Sequence, residues 1–193
     1  MTRTYTLKRR AEQQADTRQR IVEAAIDLHA NVGPAATTFS MLAERAGVQR
    51  HTVYAHFPDE RSLYLACSGL ALERSPLPSA EPWRGIADPA ERLRRGLGAV
   101  YAWFAENAAL TGCVLRDAES HPLTREITAL RIEPSMLSYR QVLGIGLDER
   151  RRAMLHLALG FPAWRALVQE SGLTQEEAVD AMARAITCCV PAD

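Results

Sequence analysis

The sequence contains no run of about 18 apolar residues, which excludes a membrane-spanning helix. Residues 1–10 are polar and basic without an apolar stretch, so they do not read as a secretory leader, and the expected location is cytoplasmic with no membrane partner. Cysteine is scarce, four in 193 residues, too few for a disulfide scaffold in a chain of this length. Net charge is absent, 23 Lys+Arg against 23 Asp+Glu, which argues against a surface that coats nucleic acid without selectivity. Lysine itself is nearly absent: Lys8 stands alone beside 22 arginines. Codon usage in a GC-rich genome accounts for that bias, although the arginine fork also suits phosphate and base recognition. The sequence holds no P-loop, no G-x-G-x-x-G, no G-x-S-x-G and no H-E-x-x-H, so no enzyme, cofactor or metal site is expected. Cys113 with His121 or His156 shows no spacing specific to a nucleophile and its base, and a free Cys is commonly a small core residue.

The distribution of charge carries more than its sum. Residues 1–56 hold eight cations (Arg3, Lys8, Arg9, Arg10, Arg18, Arg20, Arg45, Arg50) against five anions, and the rest of the chain carries the matching deficit. That is the sign expected of a nucleic-acid module joined to an acidic body.

Sustained period-2 alternation and Asn-Gly or Asp-Gly turns are missing, and nearly every segment reads as helix. Ile21, Ala25, Leu28 and Val32 form one stripe of a helix from about Asp16 to Val32, with Asp16 and Gln19 resembling a capping box. Gly33-Pro34 ends it. Thr38 caps a short helix from Phe39 to Arg45, Gly47 supplies a turn, and a second short helix runs from about Gln49 to His56. Asp59 caps a longer helix to about Arg74, and the Pro/Gly-rich 75–87 stretch reads as a loop. Asp88-Pro89-Ala90-Glu91 is a helix start for the stripe Leu93, Leu97, Val100, Phe104. A short helix near 112–119 and a longer one from about 122 follow, the latter kinked or ended at Pro134 and the Gly144-Ile145-Gly146 run. Two final helices span roughly 149–170 and 175–189, the last opened by Thr174-Gln175-Glu176-Glu177.

Helix, tight glycine turn, helix is the layout of a helix-turn-helix. The first short helix braces the second, which must keep one apolar face inward and offer polar side chains to the major groove. Phe39, Leu42, Ala43, Val48, Val53 and Phe57 form that brace with the preceding helix. Gln49, Arg50, His51 and Thr52 lie at the N-terminal end of the second helix, where base edges are met. Arg50 suits bidentate bonding to guanine, Gln49 pairs with adenine, and Thr52 offers a hydroxyl and a methyl. Packing alone also accounts for Tyr54, and helix capping for His56.

Thr17 to Ala25, then Thr38-Phe39-Ser40-Met41-Leu42-Ala43, Ala46-Gly47-Val48, Thr52-Val53-Tyr54-Ala55-His56-Phe57 and Ser62-Leu63 resemble the TetR family of bacterial transcriptional regulators over residues 16–66. The segments Phe161-Pro162-Ala163-Trp164 and Ser171 to Ala178 look like the last two helices of some members. The resemblance implies that Thr38, Tyr54 and His56 hold the DNA backbone and that Gln49, Arg50, His51 and Thr52 read bases. Two positions depart from the family pattern. Glu60 stands where a phosphate-contacting lysine is usual, with Arg61 next to it as a replacement, and His51 stands where a small residue is frequent.

The expected architecture is all-α. Residues 1–15 form a basic flexible arm, 16–58 a three-helix helix-turn-helix DNA-binding domain, and 59–193 a helical ligand-binding and dimerisation domain. The arm is ordinarily solvated, with a minor-groove contact as the alternative. Both final helices are apolar on more than one face, as expected of helices covered on all sides. One stripe of the last helix holds Val179, Met182, Ala183, Ile186 and Val190, and the other holds Ala178, Ala181, Ala185 and Cys188/Cys189. With Met154, Leu157 and Phe161, the residues Val179, Met182, Ala183 and Ile186 are the expected homodimer interface, and the family implies the same dimer. Tyr101, Phe104, Tyr139, Phe161 and Trp164, with Arg116 and His156 as polar groups, are candidates for a small-molecule pocket. The reading is a regulator, by default a repressor, bound as a homodimer to double-stranded palindromic operator DNA and released by an apolar or aromatic effector. Its rivals are an architectural DNA-binding protein without an effector and a redox sensor built on Cys188-Cys189.

Overall fold

The computed structural model describes the backbone of residues 2–188 and the side chains of residues 8–188. Arg3, Cys189 and Val190, named above, lie outside the described side chains. All described elements are helical: α1 (Thr2–Asn31), α2 (Phe39–Ala46), α3 (Arg50–His56), α4 (Glu60–Arg74), α5 (Glu81–Arg84), α6 (Pro89–Glu106), α7 (Ala108–Ala118), α8 (Pro122–Leu143), α9 (Glu149–Ala158), α10 (Phe161–Trp164) and α11 (Gln175–Thr187). A π-helical stretch, Arg165–Glu170, continues α10. Among the described residues no helix is long and apolar enough to cross a membrane.

The chain divides into two compact units. The first takes the residues up to Arg74 together with Gly112–Ala129; the second takes Ser75–Thr111 and the chain from Leu130 onward. The expected boundary at residue 58 therefore falls inside the first unit. The reason is that α4 is not a free connector: Leu63 and Cys67 share a core with Ile21, Val22, Ala24 and Ala25 of α1, Leu42, Ala43 and Ala46 of α2, and Val53 and Phe57. Leu28, Phe39 and Val48 pack against the same core. Val32, expected on the same stripe, is exposed beyond the end of α1.

The α1 start also differs from expectation. The helix begins at Thr2, so the stretch read as a flexible arm is helical, and no cap forms at Asp16. The run 8–16 contains neither proline nor glycine, so nothing in it stops a helix propagating N-terminally.

The second unit is built around α6 and α11. Asp88 caps α6, accepting from Ala90 N at 3.3 Å and Glu91 N at 3.1 Å. Leu93, Leu97, Val100, Tyr101 and Phe104 of α6 are buried, as are Ala178, Val179, Met182, Ala183 and Ile186 of α11. Gly96 admits the neighbouring side chain: a Cβ there would stand 2.5 Å from Leu143 Cδ2. Thr174 and Glu177 close a capping box at the start of α11.

Two expected elements change, and one keeps its expected end. The 75–87 loop contains α5, whose Trp83 is buried and lies 5.2 Å from the Tyr139 ring. Pro134 is carried inside α8, which ends only at the following glycine run. The single helix expected over 149–170 is divided at Gly160, because Gly160 takes an extended conformation and Pro162 sits in the first turn of the next helix.

Burial within one chain corrects the expected dimer surface. Phe161, Val179, Met182, Ala183 and Ile186 belong to the core of the second unit and do not face outward. Leu157 is 55% exposed, Met154 is half-buried, and Ala181 and Cys188 lie outside. The stripe of small residues, not the stripe of larger ones, is thus the outer side of α11 apart from buried Ala178.

Candidate nucleic-acid interface

Thr38 takes an extended conformation and its hydroxyl accepts from Met41 N at 3.3 Å, which starts α2. Gly47 ends α2 with φ +63°, a left-handed conformation in which a side chain would be strained. The Arg20 guanidinium of α1 locks this turn, donating to Ala46 O and, at 3.1 Å, to Gly47 O. Gln49 is the N-cap of α3 without a side-chain cap bond, and its carboxamide is exposed. Val53 is the one buried residue of α3, and Phe57 closes the helix by donating its N–H to Val53 O at 2.8 Å.

The helix is therefore clamped on one side and offers the other. Gln49, Arg50, His51 and Tyr54 are exposed, while Thr52 and His56 are half-buried. Arg50 donates to Tyr54 Oη at 3.2 Å, with its guanidinium carbon 5.6 Å from the Tyr54 ring centre. Tyr54 in turn rests on Phe39 at 4.7 Å between ring centres. Its ring thus packs on α2 while its hydroxyl stays at the surface, so packing and a polar role coexist. Gln49, Arg50, His51 and Thr52 share the N-terminal end of α3, and Tyr54 lies one turn beyond Arg50. Thr38 stands at the start of α2 and is exposed.

Arg61 is engaged otherwise. Its Nε and Nη2 donate to Glu126 Oε1 at 3.2 and 2.7 Å, both side chains being about half exposed. With Glu60 at the start of α4, this end of the helix carries an anion and a cation already paired to a second anion.

The turn before α2 is held from a distance. The Asp117 carboxylate on α7, buried, accepts from Ala35 N at 2.9 Å and from Arg116 Nε at 2.8 Å. Arg116 also donates to Val32 O at 3.0 Å, and Tyr64 Oη donates to Pro34 O at 2.8 Å. Gly33, at φ +100°, leaves room for Arg116 and Asp117, which a Cβ would strike. Beside them His29 is buried, its Nδ1 3.7 Å from Cys67 Sγ. Burial pushes its imidazole down to about 4, against an opposing pull from the Asp117 charge. Burial likewise raises the Tyr64 phenol to about 12. Asp117, Tyr64 and His29 carry no signal in the sequence, since the Ala35–Asp117 bond joins residues 82 positions apart.

The candidate pocket residues separate. Tyr101, Phe104, Phe161 and Trp164 form one buried aromatic cluster, with ring centres 5.2 to 6.4 Å apart. Tyr101 Oη donates to Ala158 O at 3.0 Å, and Trp164 Nε1 is buried without a hydrogen-bond partner. Tyr139 is buried beside Trp83 and donates to Pro78 O at 2.6 Å. Arg116 is bonded within the first unit, as above, and His156 is exposed on α9. Cys113 donates to Ala30 O at 3.4 Å, and His121 Nδ1 lies 2.7 Å from Thr124 Oγ1.

Residues 21–67 match the model of the bacterial regulatory proteins of the tetR family. This stretch is a tetR-family DNA-binding domain. Solved structures bear the same fold along nearly the whole length. A TetR family transcriptional regulator, PfmR from Thermus thermophilus, is 26% identical, with 86% of this chain and 96% of that one covered and a TM-score of 0.62. A tetR-family transcriptional regulator from Streptomyces coelicolor is 19% identical, covering 90% of this chain and 80% of that one at a TM-score of 0.60. A TetR-like transcriptional regulator from Rhodococcus sp. RHA1 is 17% identical, covering 89% and 93% at a TM-score of 0.63. No curated protein matches the chain in sequence. The TetR-family match spans α2 and α3 entirely, so this helix-turn-helix is the DNA-binding domain of such a regulator.

Proposed function

We propose that the protein is a homodimeric repressor that binds a palindromic operator through α3 and is released by a small apolar effector. The observation that carries the reading is the clamped, outward-facing α3, with Arg50 on its exposed side and Val53 buried beneath. Gln49, Arg50, His51 and Thr52 meet base edges, while Thr38, Tyr54 and His56 hold phosphates. Arg61 joins them only by exchanging Glu126 for a phosphate. Two-fold symmetry places two such helices on half-sites about 34–36 Å apart or a multiple of it. The outer side of α9 and α11, with Leu157, Ala181 and Cys188, is the face a second copy covers.

The effector enters the aromatic cluster of the second unit. Trp164 Nε1, a buried donor without an acceptor, favours an apolar molecule carrying one acceptor oxygen. Binding shifts the population toward a spacing of reading helices that mismatches the operator. Arg50→Ala tests the DNA half. It is expected to weaken operator binding and relax preference at one base of each half-site, by about 1–3 kcal/mol of discrimination. Equal loss at every sequence would leave Arg50 on phosphate alone. The effector half fails if operator binding in a gel shift stays unchanged across a broad ligand screen.

A further inference from the structure

The reading helix is not the only cationic surface of the first unit. N-terminal to Thr17, which is half-buried, every described residue of α1 from Lys8 to Asp16 is exposed. A helix segment polar all round and packed against nothing has no stability to gain from a core, and a free helix of this length is marginal in water. Its composition is one-sided at the far end, with Lys8, Arg9 and Arg10 in succession, and Lys8 is the only lysine of the chain.

Two contacts fix where this segment leaves the helix-turn-helix. Arg20 grips the α2–α3 turn at Ala46 and Gly47, and the Arg18 guanidinium lies over the ring of Phe57, which ends α3, at 4.8 Å from its centre. Arg18 and Arg20 thus lie against the two ends of α3. Arg10, Gln14 and Arg18 follow one another at i, i+4, i+8, so Arg10 projects from the side of α1 that meets α3. At 1.5 Å per residue Arg10 stands about 12 Å beyond Arg18 along the axis. No acidic residue shares that stripe; Glu12 and Asp16 lie on the Lys8 side.

We infer that the helical extension of α1 is a second DNA-binding surface, in which Arg10, with Arg9 next to it, engages the phosphate backbone of duplex DNA flanking the bases that α3 meets. The occupant is argued from charge complementarity and from continuity with the reading helix, and the inference rests on the DNA-binding reading above. Contacts of this kind position the protein without reading sequence. They replace the minor-groove insertion of an irregular arm, since a helix is too wide for a groove about 6 Å across.

The test measures binding of the full chain to random-sequence duplex DNA, long enough to span two half-sites, over a salt series. The variant Arg9→Gln/Arg10→Gln keeps good helix formers and removes the charge. Its affinity is expected to fall by a similar factor on every sequence. The slope of log affinity against log salt becomes shallower by about 0.9 for each phosphate that the variant no longer neutralises. Arg9→Lys/Arg10→Lys retains the wild-type slope. Arg50→Ala, run alongside, changes base preference while leaving most of the slope. An unchanged slope in the double Gln variant, with wild-type helix content by circular dichroism, overturns the inference and leaves the reading by α3 standing. A wild-type chain that binds no duplex at low salt overturns both.

Discussion

Of the seven residues of α3 only Val53 is buried, whereas α11 buries Ala178, Val179, Met182, Ala183 and Ile186 inside its own unit. The same chemistry of apolar residues at helical spacing therefore has two outcomes. In α3 the neighbours supply the core, and the helix is left with a largely exposed polar face whose Tyr54 rests on Phe39 of α2. In α11 the helix is itself the core, and what remains outside is a stripe of small side chains. A reading helix can change its exposed residues at little cost in stability; a core helix cannot. On the proposed reading, this separates where operator preference is set from where the fold is held.

The largest effect that sharpens the contrast comes from the brace. Phe57→Ala removes a ring that is almost fully buried and is expected to destabilise the first unit by about 3–5 kcal/mol in denaturant melts, with DNA binding lost along with the fold. Arg50→Ala, two turns away on the outside, is expected to leave the same melts within about 0.5 kcal/mol while weakening DNA binding. Equal melts for both variants would erase the distinction.

A second effect lies in pH. The His29 imidazole, held down to about 4 by burial, is neutral in the folded chain, while the unfolded chain takes up the proton near the ordinary 6.5. Its contribution is therefore fully present above 6.5 and is lost as pH falls from 6.5 toward 4, by at most about 3 kcal/mol. The difference in melting temperature between wild type and His29→Gln should shrink or reverse over that window. A difference independent of pH would mean that the imidazole is not held neutral.

The smallest effect concerns Arg61. Glu126→Gln removes the carboxylate that Arg61 now bonds and frees the cation for phosphate. An exposed pair of this kind is worth at most about 1 kcal/mol, so the variant is expected to bind DNA up to about fivefold more tightly, with a steeper salt dependence. Weaker binding would show that Glu126 holds Arg61 in place for DNA.

The legible part of the molecule is the part whose contacts are short in sequence. Thr38 capping α2, Gly47 in the left-handed turn, Asp88 capping α6 and the Thr174–Glu177 box all join residues a few positions apart, and each is found where the residue types place it. The brace of Leu42, Val53 and Phe57 was legible for the same reason. What was not legible depends on partners far along the chain. Periodicity marks Val179, Met182 and Ile186 as covered but is silent on whether α6 or a second copy covers them. Arg116 reads as a polar lining group until Asp117 and the Val32 carbonyl are seen beside it. The extension of α1 to Thr2 was hidden by a plausible cap at Asp16 that the helix runs straight through.

The central claim is that the exposed side of α3 selects DNA sequence. Repeated selection of wild-type protein on a random-sequence duplex pool tests it directly. The account predicts enrichment of a palindrome whose half-sites are separated by about 10–10.5 base pairs or a multiple of it, with Arg50→Ala losing preference at one base in each half. Enrichment of no sequence, by a protein that binds every duplex alike, would contradict it.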